Sequence, residues 1–251
     1  MPAEPRRFPP HPIRDVEARH VRQAAWLVLV HSPLVGCEIW EPAAELLAAA
    51  GYAVAVPDLA DAMKAGPPYF PGLARVIAES AGGQDVSLVG YSRAGPLLAM
   101  AGAMLGARVR SYVFVDARLP APGRSWMQTT EPGLAARLRE MADRHGRLPP
   151  WPQWRAEGEL AELVPDPAVR QRFAAGCPRL PLGLLEETQP PAPGWPNAEC
   201  GYLQLSAAYQ EEAARARELG WSVRQQPGHH LALLTHPGQV VGHICELTGP
   251  P

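Results

Sequence analysis

Short apolar runs alternate with amphipathic segments along the first half of the chain. Four short runs are mostly apolar, as is typical of strands buried on both faces of a parallel sheet: 25–30, 52–56, 86–89 and 111–115. The segments between them carry helical patterns: 38–50, 72–81 and 95–105. Because strand and helix alternate, the sequence predicts right-handed crossovers and a doubly wound α/β sheet.

The alternation stops after Asp116 and resumes near residue 202. The intervening stretch is rich in proline and tryptophan and contains two helical patterns, at 133–145 and 158–177. Two more strands and two more helices are predicted after it: 202–205, 207–219, 221–224 and a closing helix from about Pro237. We expect the stretch to be a helical insertion over the carboxyl edge of the sheet, where such folds bind ligands.

The predicted organisation therefore has three parts. Residues 21–117 and 198–251 form the α/β core, and residues 118–197 form the helical cap. Residues 1–20 are expected to be a loosely held arm, because five prolines fall within the first twelve positions.

Composition narrows the choice of partners. A chain of 251 residues with 47% apolar residues can bury a large core without a metal or a disulfide. Its formal net charge of −2 and the lack of a basic run argue against nucleic acid or an anionic membrane as a partner. No apolar stretch is long enough to span a bilayer. The four cysteines are widely spaced and no signal peptide is evident, so we expect a cytoplasmic protein with reduced thiols. The sequence does not indicate an oligomeric state.

Ser92 lies between a predicted strand and a predicted helix. The apolar run 86–89 ends at Gly90, and a helical run of small residues begins at Gly95. In so tight a turn the positions two before and two after the serine have to be small, and they are Gly90 and Ala94. The following helix directs its first N–H groups towards the serine oxygen. The sequence thus predicts a nucleophile elbow at Ser92.

A nucleophilic serine needs a base, and the base needs an orienting acid. The loop after the last predicted strand contains His229 and His230. We favour His230 as the base because its spacing to Leu234 and Pro237 matches a catalytic loop followed by a closing helix, and His229 is the second choice. A partial metal site at the histidine pair is the weaker alternative, because no third ligand stands nearby in the sequence.

The acid is predicted to be Asp116, which ends the strand after the elbow's helix. No acid follows the penultimate strand, where one is often found, and a strand end on the same sheet edge can deliver a carboxylate to the same histidine. The chain order serine, aspartate, histidine also fits. Asp116 as a helix-capping or turn residue is the competing interpretation, and Glu211 and Glu212 are the second-choice acids.

Taken together and in order, these segments resemble the α/β-hydrolase family. The matching features are Leu27-Val28-Leu29-Val30-His31, Trp40, Pro57-Asp58, the elbow at Ser92, Asp116 and Gly228-His229-His230. The resemblance implies Ser92 as nucleophile, His230 as base and Asp116 as orienting acid, with the insertion in the family's cap position. Neither this resemblance nor any motif implies a cofactor or a metal.

One departure from the family pattern concerns the oxyanion hole. The family usually has His-Gly-x after the first core strand, where the N–H of x helps to stabilise the oxyanion. Here the run is His31-Ser32-Pro33-Leu34, which puts a proline without an N–H at that position. The N–H of Arg93 supplies one donor, and the N–H of Leu34 or the hydroxyl of Ser32 is expected to replace the other.

Five residues are predicted to contact substrate: Tyr91, Trp126, Met127, Trp151 and Trp154. Some of the tryptophans are expected instead to attach the cap to the sheet. The side chain of Arg93 has two open interpretations, contact with an anionic substrate or exposure to solvent. His31 and Asp58 are expected to be structural.

The leading functional prediction is hydrolysis of a small-molecule ester, thioester or lactone. A lyase or cyclisation enzyme that uses the same serine and histidine as acid and base is the first alternative, favoured by the proline in the oxyanion loop. A non-catalytic ligand receptor is the second alternative.

Overall fold

Six parallel strands and one antiparallel edge strand form a single sheet in the computed structural model, which describes residues 6–8 and 25–251. The spatial order is β1-β3-β2-β4-β5-β6-β7 within these residues. The strands are β1 (Arg6–Phe8), β2 (Trp26–Val30), β3 (Ala53–Val56), β4 (Val86–Tyr91), β5 (Val109–Val115), β6 (Glu199–Gln204) and β7 (Ser222–Gln225). The predicted doubly wound, mostly parallel sheet is therefore confirmed.

Helices connect these strands. In the core they are α1 (Glu41–Ala49), α2 (Ala60–Lys64), α3 (Tyr69–Ser80), α4 (Gly95–Leu105), α10 (Gln210–Glu218), α11 (Ala232–Thr235) and α12 (Pro237–Thr248). Between β5 and β6 lie five short ones, α5 (Trp126–Thr129), α6 (Pro132–Met141), α7 (Glu159–Leu163), α8 (Pro167–Gly176) and α9 (Leu182–Glu186). None of the described helices combines the length and the apolar character that crossing a lipid bilayer requires.

The central strands are buried on both faces. Every residue of β4 is buried, and Leu27 to Val30 of β2 are fully inaccessible to solvent. The two faces can be assigned from close approaches, because Gly102 of α4 lies against Tyr112 of β5, whereas Gly201 of β6 lies against Leu247 of α12. Tyr112 precedes Val113, which pairs with Gly201, so α4 and α12 cover opposite faces. Short, mostly apolar runs are the sequence expression of this two-sided burial.

The strand order reverses direction at β2. β3 lies on one side of β2, whereas β4 and the later strands follow on the other. The loops after β2 and β4 diverge at this switch point and leave a crevice at the carboxyl ends of the strands, which is where open α/β sheets bind ligands.

The structure differs from the sequence-based expectation in several places: α6 ends at Met141 and not at residue 145, and the short helices α2, α5, α9 and α11 were not predicted. Arg6–Phe8 forms a strand antiparallel to β3, and the rest of the predicted arm lies outside the described residues. The helix expected at 158–177 is split into α7 and α8, because Pro165 disfavours a helical Val164 and Pro167 begins a new helix capped by the Asp166 side chain.

The insertion is tied to the core at the amino-terminal end of α3. The Glu187 carboxylate accepts hydrogen bonds from the backbone N–H groups of Tyr69 and Phe70, at 2.7 and 3.0 Å. The residue before the helix, Pro68, offers no side-chain cap of its own, so this carboxylate satisfies amides that the helix leaves unpaired. The contact positions the insertion over the crevice.

Gly95 is expected to tolerate no side chain. A Cβ at this first residue of α4 would overlap the backbone carbonyl oxygen of Arg118, which cannot rotate away. We predict that Gly95→Ala lowers the free energy of unfolding by about 1–3 kcal/mol. Gly72 of α3 is the matched control, because a Cβ there meets nothing within 4 Å and alanine favours helix, so Gly72→Ala should be neutral or stabilising. Urea unfolding of both variants checks this, and equal stabilities would contradict it.

Candidate active site

Ser92 occupies a strained turn between β4 and α4. Its φ angle is +59°, a left-handed conformation that residues with a Cβ rarely adopt. The turn requires small neighbours as the sequence predicts, because a Cβ on Gly90 would lie 2.8 Å from Leu98 and Ala94 is fully buried. The strain holds the serine hydroxyl beyond the end of the strand.

His230 lies within hydrogen-bonding distance of both of its predicted partners. Its Nε2 is 3.0 Å from Ser92 Oγ and its Nδ1 is 2.7 Å from Asp116 Oδ2. His229, the second-choice base, instead places its Nε2 3.2 Å from the hydroxyl of Thr235. The structure therefore brings His230 to Ser92, and His229 faces elsewhere.

Asp116 is a fully buried carboxylate with four hydrogen-bond donors. It accepts bonds from the N–H groups of Leu205 and Ser206 at 2.9 and 3.0 Å, from the Ser206 hydroxyl at 2.6 Å and from His230. These donors follow β6 and β7, not Asp116 itself, so the residue is not a local helix cap. Its own φ of +43° turns the carboxylate towards them.

The second-choice acids lie elsewhere. Glu212 is paired with Arg118, and the side chain of Glu211 is exposed, so neither carboxylate contacts His230.

The positions of the protons follow from the donors and acceptors present. A carboxylate can only accept, so His230 Nδ1 carries a proton for Asp116 and Nε2 of the neutral ring is left as an acceptor. The Ser92 hydroxyl then donates to Nε2. A further hydroxyl, that of Tyr209, lies 3.2 Å from Ser92 Oγ, and since the serine proton is already engaged, Tyr209 is the donor.

Two tyrosines enclose the imidazole of His230. The rings of Tyr91 and Tyr209 stack on it, with centroids 4.6 and 5.0 Å away and interplanar angles of 22° and 13°. The Tyr91 hydroxyl also donates to the backbone carbonyl of His230 at 2.8 Å. Burial raises the pKa of Tyr209, while the nearby Arg93 guanidinium acts in the opposite direction. The phenol therefore stays protonated and able to donate near neutral pH.

Tyr209 is the main residue of this site that the sequence analysis missed. It follows β6, the strand after which an acid was sought and not found. A tyrosine shortly beyond the carboxyl end of a parallel strand was the available signal.

A cavity of about 590 Å³ lies between the core and the insertion, beside Ser92. Core residues form one side: Pro33, Leu34, Phe70, Arg93, Pro96 and Leu97. Insertion residues form the other: Leu119, Pro120, Ala121, Arg124, Ser125, Trp126, Thr129, Leu184, Leu185 and Gln189. Arg118, Glu211, Glu212 and Arg215 complete the wall. Ser92 is 4% exposed and is not part of this wall, although the next residue, Arg93, is, and the Tyr209 hydroxyl lies 3.2 Å from Ser92 Oγ.

Sequence comparison agrees with this geometry. Residues 27–243 match the sequence profile of the alpha/beta hydrolase family. The chain belongs to that family. No functionally curated protein matches the sequence.

Solved structures share the fold at low sequence identity. An extracellular alpha/beta-hydrolase from a Paenibacillus species has a TM-score of 0.72 and 18% identity, covering 89% of this chain and 98% of its own. A pyrethroid hydrolase from Sphingobium faniae has a TM-score of 0.69 and 17% identity, covering 90% and 98%. Polyneuridine aldehyde esterase has a TM-score of 0.66 and 18% identity, covering 90% and 100%.

The oxyanion loop of this alpha/beta hydrolase has an unusual set of donors. Pro33 has no N–H, and the N–H of Leu34 donates to the Ser32 hydroxyl at 3.2 Å. Of the two predicted substitutes, the N–H of Leu34 is thus engaged, whereas the Ser32 hydroxyl is only the acceptor of that bond and keeps its own proton. Arg93, which follows Ser92 in the first turn before α4, has an amide of the kind that helices leave unpaired.

The residues predicted to contact substrate separate into two groups. Trp126 lines the cavity, whereas the other four do not contribute to its described wall. Tyr91 and Met127 are buried, Trp151 packs edge-on against Phe173, and Trp154 stacks behind Trp126 and donates to the Pro149 carbonyl. These four side chains pack within the insertion or against His230 and do not line this cavity, so their contact with a substrate stays a prediction.

His31 joins two loops at the carboxyl edge. It is buried, its Nδ1 donates to the carbonyl of Ser32 at 2.9 Å, and its Nε2 accepts the N–H of Leu59 at 3.2 Å. Burial lowers its pKa below the ordinary value of 6.5. Asp58 accepts the N–H of Ala60 at 2.9 Å, so both residues have structural contacts, as expected.

This lowered pKa predicts a pH dependence of stability. Below pH 6.5 the unfolded state binds a proton at His31 that the folded state refuses, so stability should fall as the pH falls from 6.5 towards the folded pKa. His31→Gln should be less stable at pH 8 and should flatten this slope by up to about 1.4 kcal/mol per pH unit. His145→Gln, at an exposed position, is the control and should keep the parent slope. Unfolding free energies measured between pH 5 and 8 test this prediction. An unchanged slope in His31→Gln would show that His31 is not the source of the pH dependence.

Proposed function

We propose that the protein is a serine hydrolase for a small-molecule ester, thioester or lactone. Ser92 is the nucleophile, His230 the general base and Asp116 the orienting acid. The observation that carries the proposal is the continuous hydrogen-bonded chain from Ser92 Oγ through His230 to a fully buried carboxylate, at 3.0 and 2.7 Å, beside a cavity of about 590 Å³. The esterase among the structurally similar proteins supports esters as the first substrates to test.

The reaction follows from the positions of the protons. Ser92 Oγ attacks the substrate carbonyl while its proton passes to His230 Nε2, and Asp116 stabilises the imidazolium that forms. The imidazolium then protonates the departing alcohol, thiol or ring oxygen, which leaves an acyl group on Ser92. A water molecule gives its proton to Nε2 and attacks the acyl carbon, and Ser92 recovers its proton as the acid leaves.

Tyr209 is proposed to complete the oxyanion hole. Its hydroxyl donates to Ser92 Oγ at rest, and attack by the serine removes lone-pair density from that oxygen as a bond to carbon forms. The phenol is then free to donate to the developing oxyanion, a short distance away. Together with the N–H of Arg93, this supplies the second donor that Pro33 and the engaged N–H of Leu34 do not provide.

A second candidate is acid–base chemistry without an acyl-enzyme, that is, a lyase or cyclisation reaction. It is favoured by the same oxyanion loop, because proton abstraction by His230 needs fewer oxyanion donors than acyl transfer. A non-catalytic receptor is less favoured, because ligand binding requires neither strain at Ser92 nor a buried carboxylate behind His230.

Further proposals concern the partner, the cellular location and the role of the insertion. A small molecule is the proposed partner, and no cofactor is invoked in the proposed steps. A cytoplasmic location is supported by four cysteines, none of which is assigned to a disulfide, whereas one structural relative is extracellular. Residues 118–197 are proposed to act as the cap that selects the substrate.

A small fluorophosphonate tests the nucleophile without knowledge of the substrate. Intact mass should show one adduct on the parent protein and none on Ser92→Ala or His230→Ala, because only a base-activated serine reacts readily. Asp116→Asn should react about 10²–10⁴ times more slowly, since the amide no longer holds the correct tautomer. His229→Ala is the matched control and should be labelled like the parent.

Two outcomes would overturn the hydrolase proposal. One is a folded parent protein that stays unlabelled, which favours the acid–base alternative. The other is labelling of His230→Ala at the parent rate, which would mean that the histidine does not activate the serine.

Tyr209→Phe tests the proposed oxyanion donor. Phenylalanine keeps the ring that stacks on His230 and removes only the hydroxyl, so kcat/KM for 4-nitrophenyl acetate should fall by about 10². Tyr91→Phe removes the hydroxyl on the other side of the same imidazole and should cost markedly less. Equal losses in the two variants would assign both hydroxyls to positioning of His230 alone.

A further inference from the structure

The cavity beside Ser92 contains an arginine that the proposed reaction does not use as a side chain. The guanidinium of Arg93 lies 3.8 Å from the centroid of the Trp126 ring, and both residues form part of the cavity wall. Within the described residues, Arg93 makes no ion pair and its side chain donates no hydrogen bond. Its charge is therefore directed into the cavity without a carboxylate to neutralise it.

The carboxylates near Arg93 have other partners or positions. Glu212 is nearly buried and is bound by Arg118, and Glu211 is exposed at the cavity rim. Burial lowers the pKa of Arg93 to about 9, and Arg118 acts in the same direction, whereas Tyr209 and Glu212 act in the opposite direction without cancelling the effect of burial. A cation whose charge is disfavoured in this way gains more from binding an anion than a fully solvated arginine does.

The contact with Trp126 leaves the N–H groups of the Arg93 guanidinium available for hydrogen bonds. An aromatic face occupies one side of the guanidinium plane, while the N–H groups point outward along its edge. That edge is suited to bind both oxygens of a carboxylate. The ring of Trp154 stacks behind Trp126, with centroids 6.4 Å apart and an interplanar angle of 17°, so Arg93 lies on a pair of nearly parallel rings.

The wall as a whole has an excess of positive charge. Four arginines face two glutamates, and two of those arginines have ion-pair partners: Arg118 pairs with Glu212 of the wall, and Arg215 pairs with Glu218, which lies outside it. Arg124 donates to the backbone carbonyl of Gln128. Arg93 is thus the arginine of the wall with an unused fork, and it directly follows the nucleophile.

We propose that Arg93 binds an anionic group of the substrate, a carboxylate in its simplest form, and so selects esters or thioesters that carry a negative charge near the scissile carbonyl. The prediction of selective turnover rests on the proposed function, whereas the prediction that Arg93 binds an anion does not. Arg93 and Ser92 are consecutive residues with Cα atoms about 3.8 Å apart, so the separation between the bound anion and the carbonyl is limited by the length of one arginine side chain.

Matched substrates test the proposal. The 4-nitrophenyl monoester of glutaric acid carries a terminal carboxylate, and 4-nitrophenyl 4-carbamoylbutanoate is its neutral isostere. At pH 7.5 the parent protein should show a kcat/KM at least about tenfold higher for the anionic ester, the factor that a charge-assisted hydrogen bond supplies. A second pair, 4-acetoxybenzoate and 4-acetoxybenzamide, places the charge on the leaving group and shows which side of the carbonyl faces Arg93.

Variants separate recognition from packing. In Arg93→Gln the preference should fall to about unity, and in Arg93→Lys it should be partly retained, because lysine keeps the charge but loses the flat fork. Arg215→Gln removes an equal charge from the same wall and should retain the parent preference within about twofold. A purely structural Arg93 would instead lower the melting temperature in both Arg93 variants and leave the ratio of the two substrates unchanged.

Binding gives a readout that does not depend on turnover. Monomethyl glutarate, which carries one carboxylate, should bind to Ser92→Ala at least about tenfold more tightly than the neutral methyl 4-carbamoylbutanoate, and Ser92→Ala/Arg93→Gln should lose this difference. No preference in either the kinetic pairs or the titration would overturn the proposal while leaving the hydrolase function intact. Preferential binding without fluorophosphonate labelling would retain the anion site and overturn the hydrolase function.

Discussion

The charge of a buried carboxylate has to be stabilised by hydrogen-bond donors, and the donors to Asp116 organise the carboxyl edge of the sheet in this protein. With no exposed surface, the side chain would be strongly destabilising if it lacked donors. It receives two backbone N–H groups and a hydroxyl from the segment after β6, and a ring N–H from His230 in the loop after β7. Three consecutive strand ends are thereby held together, and His230 has one orientation available.

The strained serine turn depends on the same edge. Ser92 has a left-handed conformation that costs free energy, and the close packing of α4 on the Arg118 carbonyl leaves it little alternative. His230 fits the slot between Tyr91 and Tyr209, so that its Nε2 reaches the serine. Positioning by packing, strain and hydrogen bonds together is what an activated hydroxyl requires.

Much of the fold could be predicted because it rests on local patterns. Short apolar runs marked the first four of the six parallel strands, and small residues at Gly90 and Ala94 marked the elbow, since these requirements act within a few positions of the chain. The single helix expected at 158–177 was wrong because helical periodicity continues across Pro165 and Pro167, whose backbone restrictions end one helix and begin another. The strand Arg6–Phe8 depends on pairing with the distant β3, for which no local pattern exists.

By itself, the sequence determined the order of the elements, the strand ends that bear Ser92, Asp116 and His230, and the missing N–H at Pro33, because each is a property of residue type and spacing. Only the tertiary structure decided that Tyr209 donates to Ser92, that Leu34 and Ser32 are bonded to each other, and that Arg93 rests on Trp126 inside a cavity. The physical reason is that these contacts join the core to segments more than thirty positions away, or depend on how a loop turns. The direction of a side chain across such distances is set by packing, which no periodicity along the chain records.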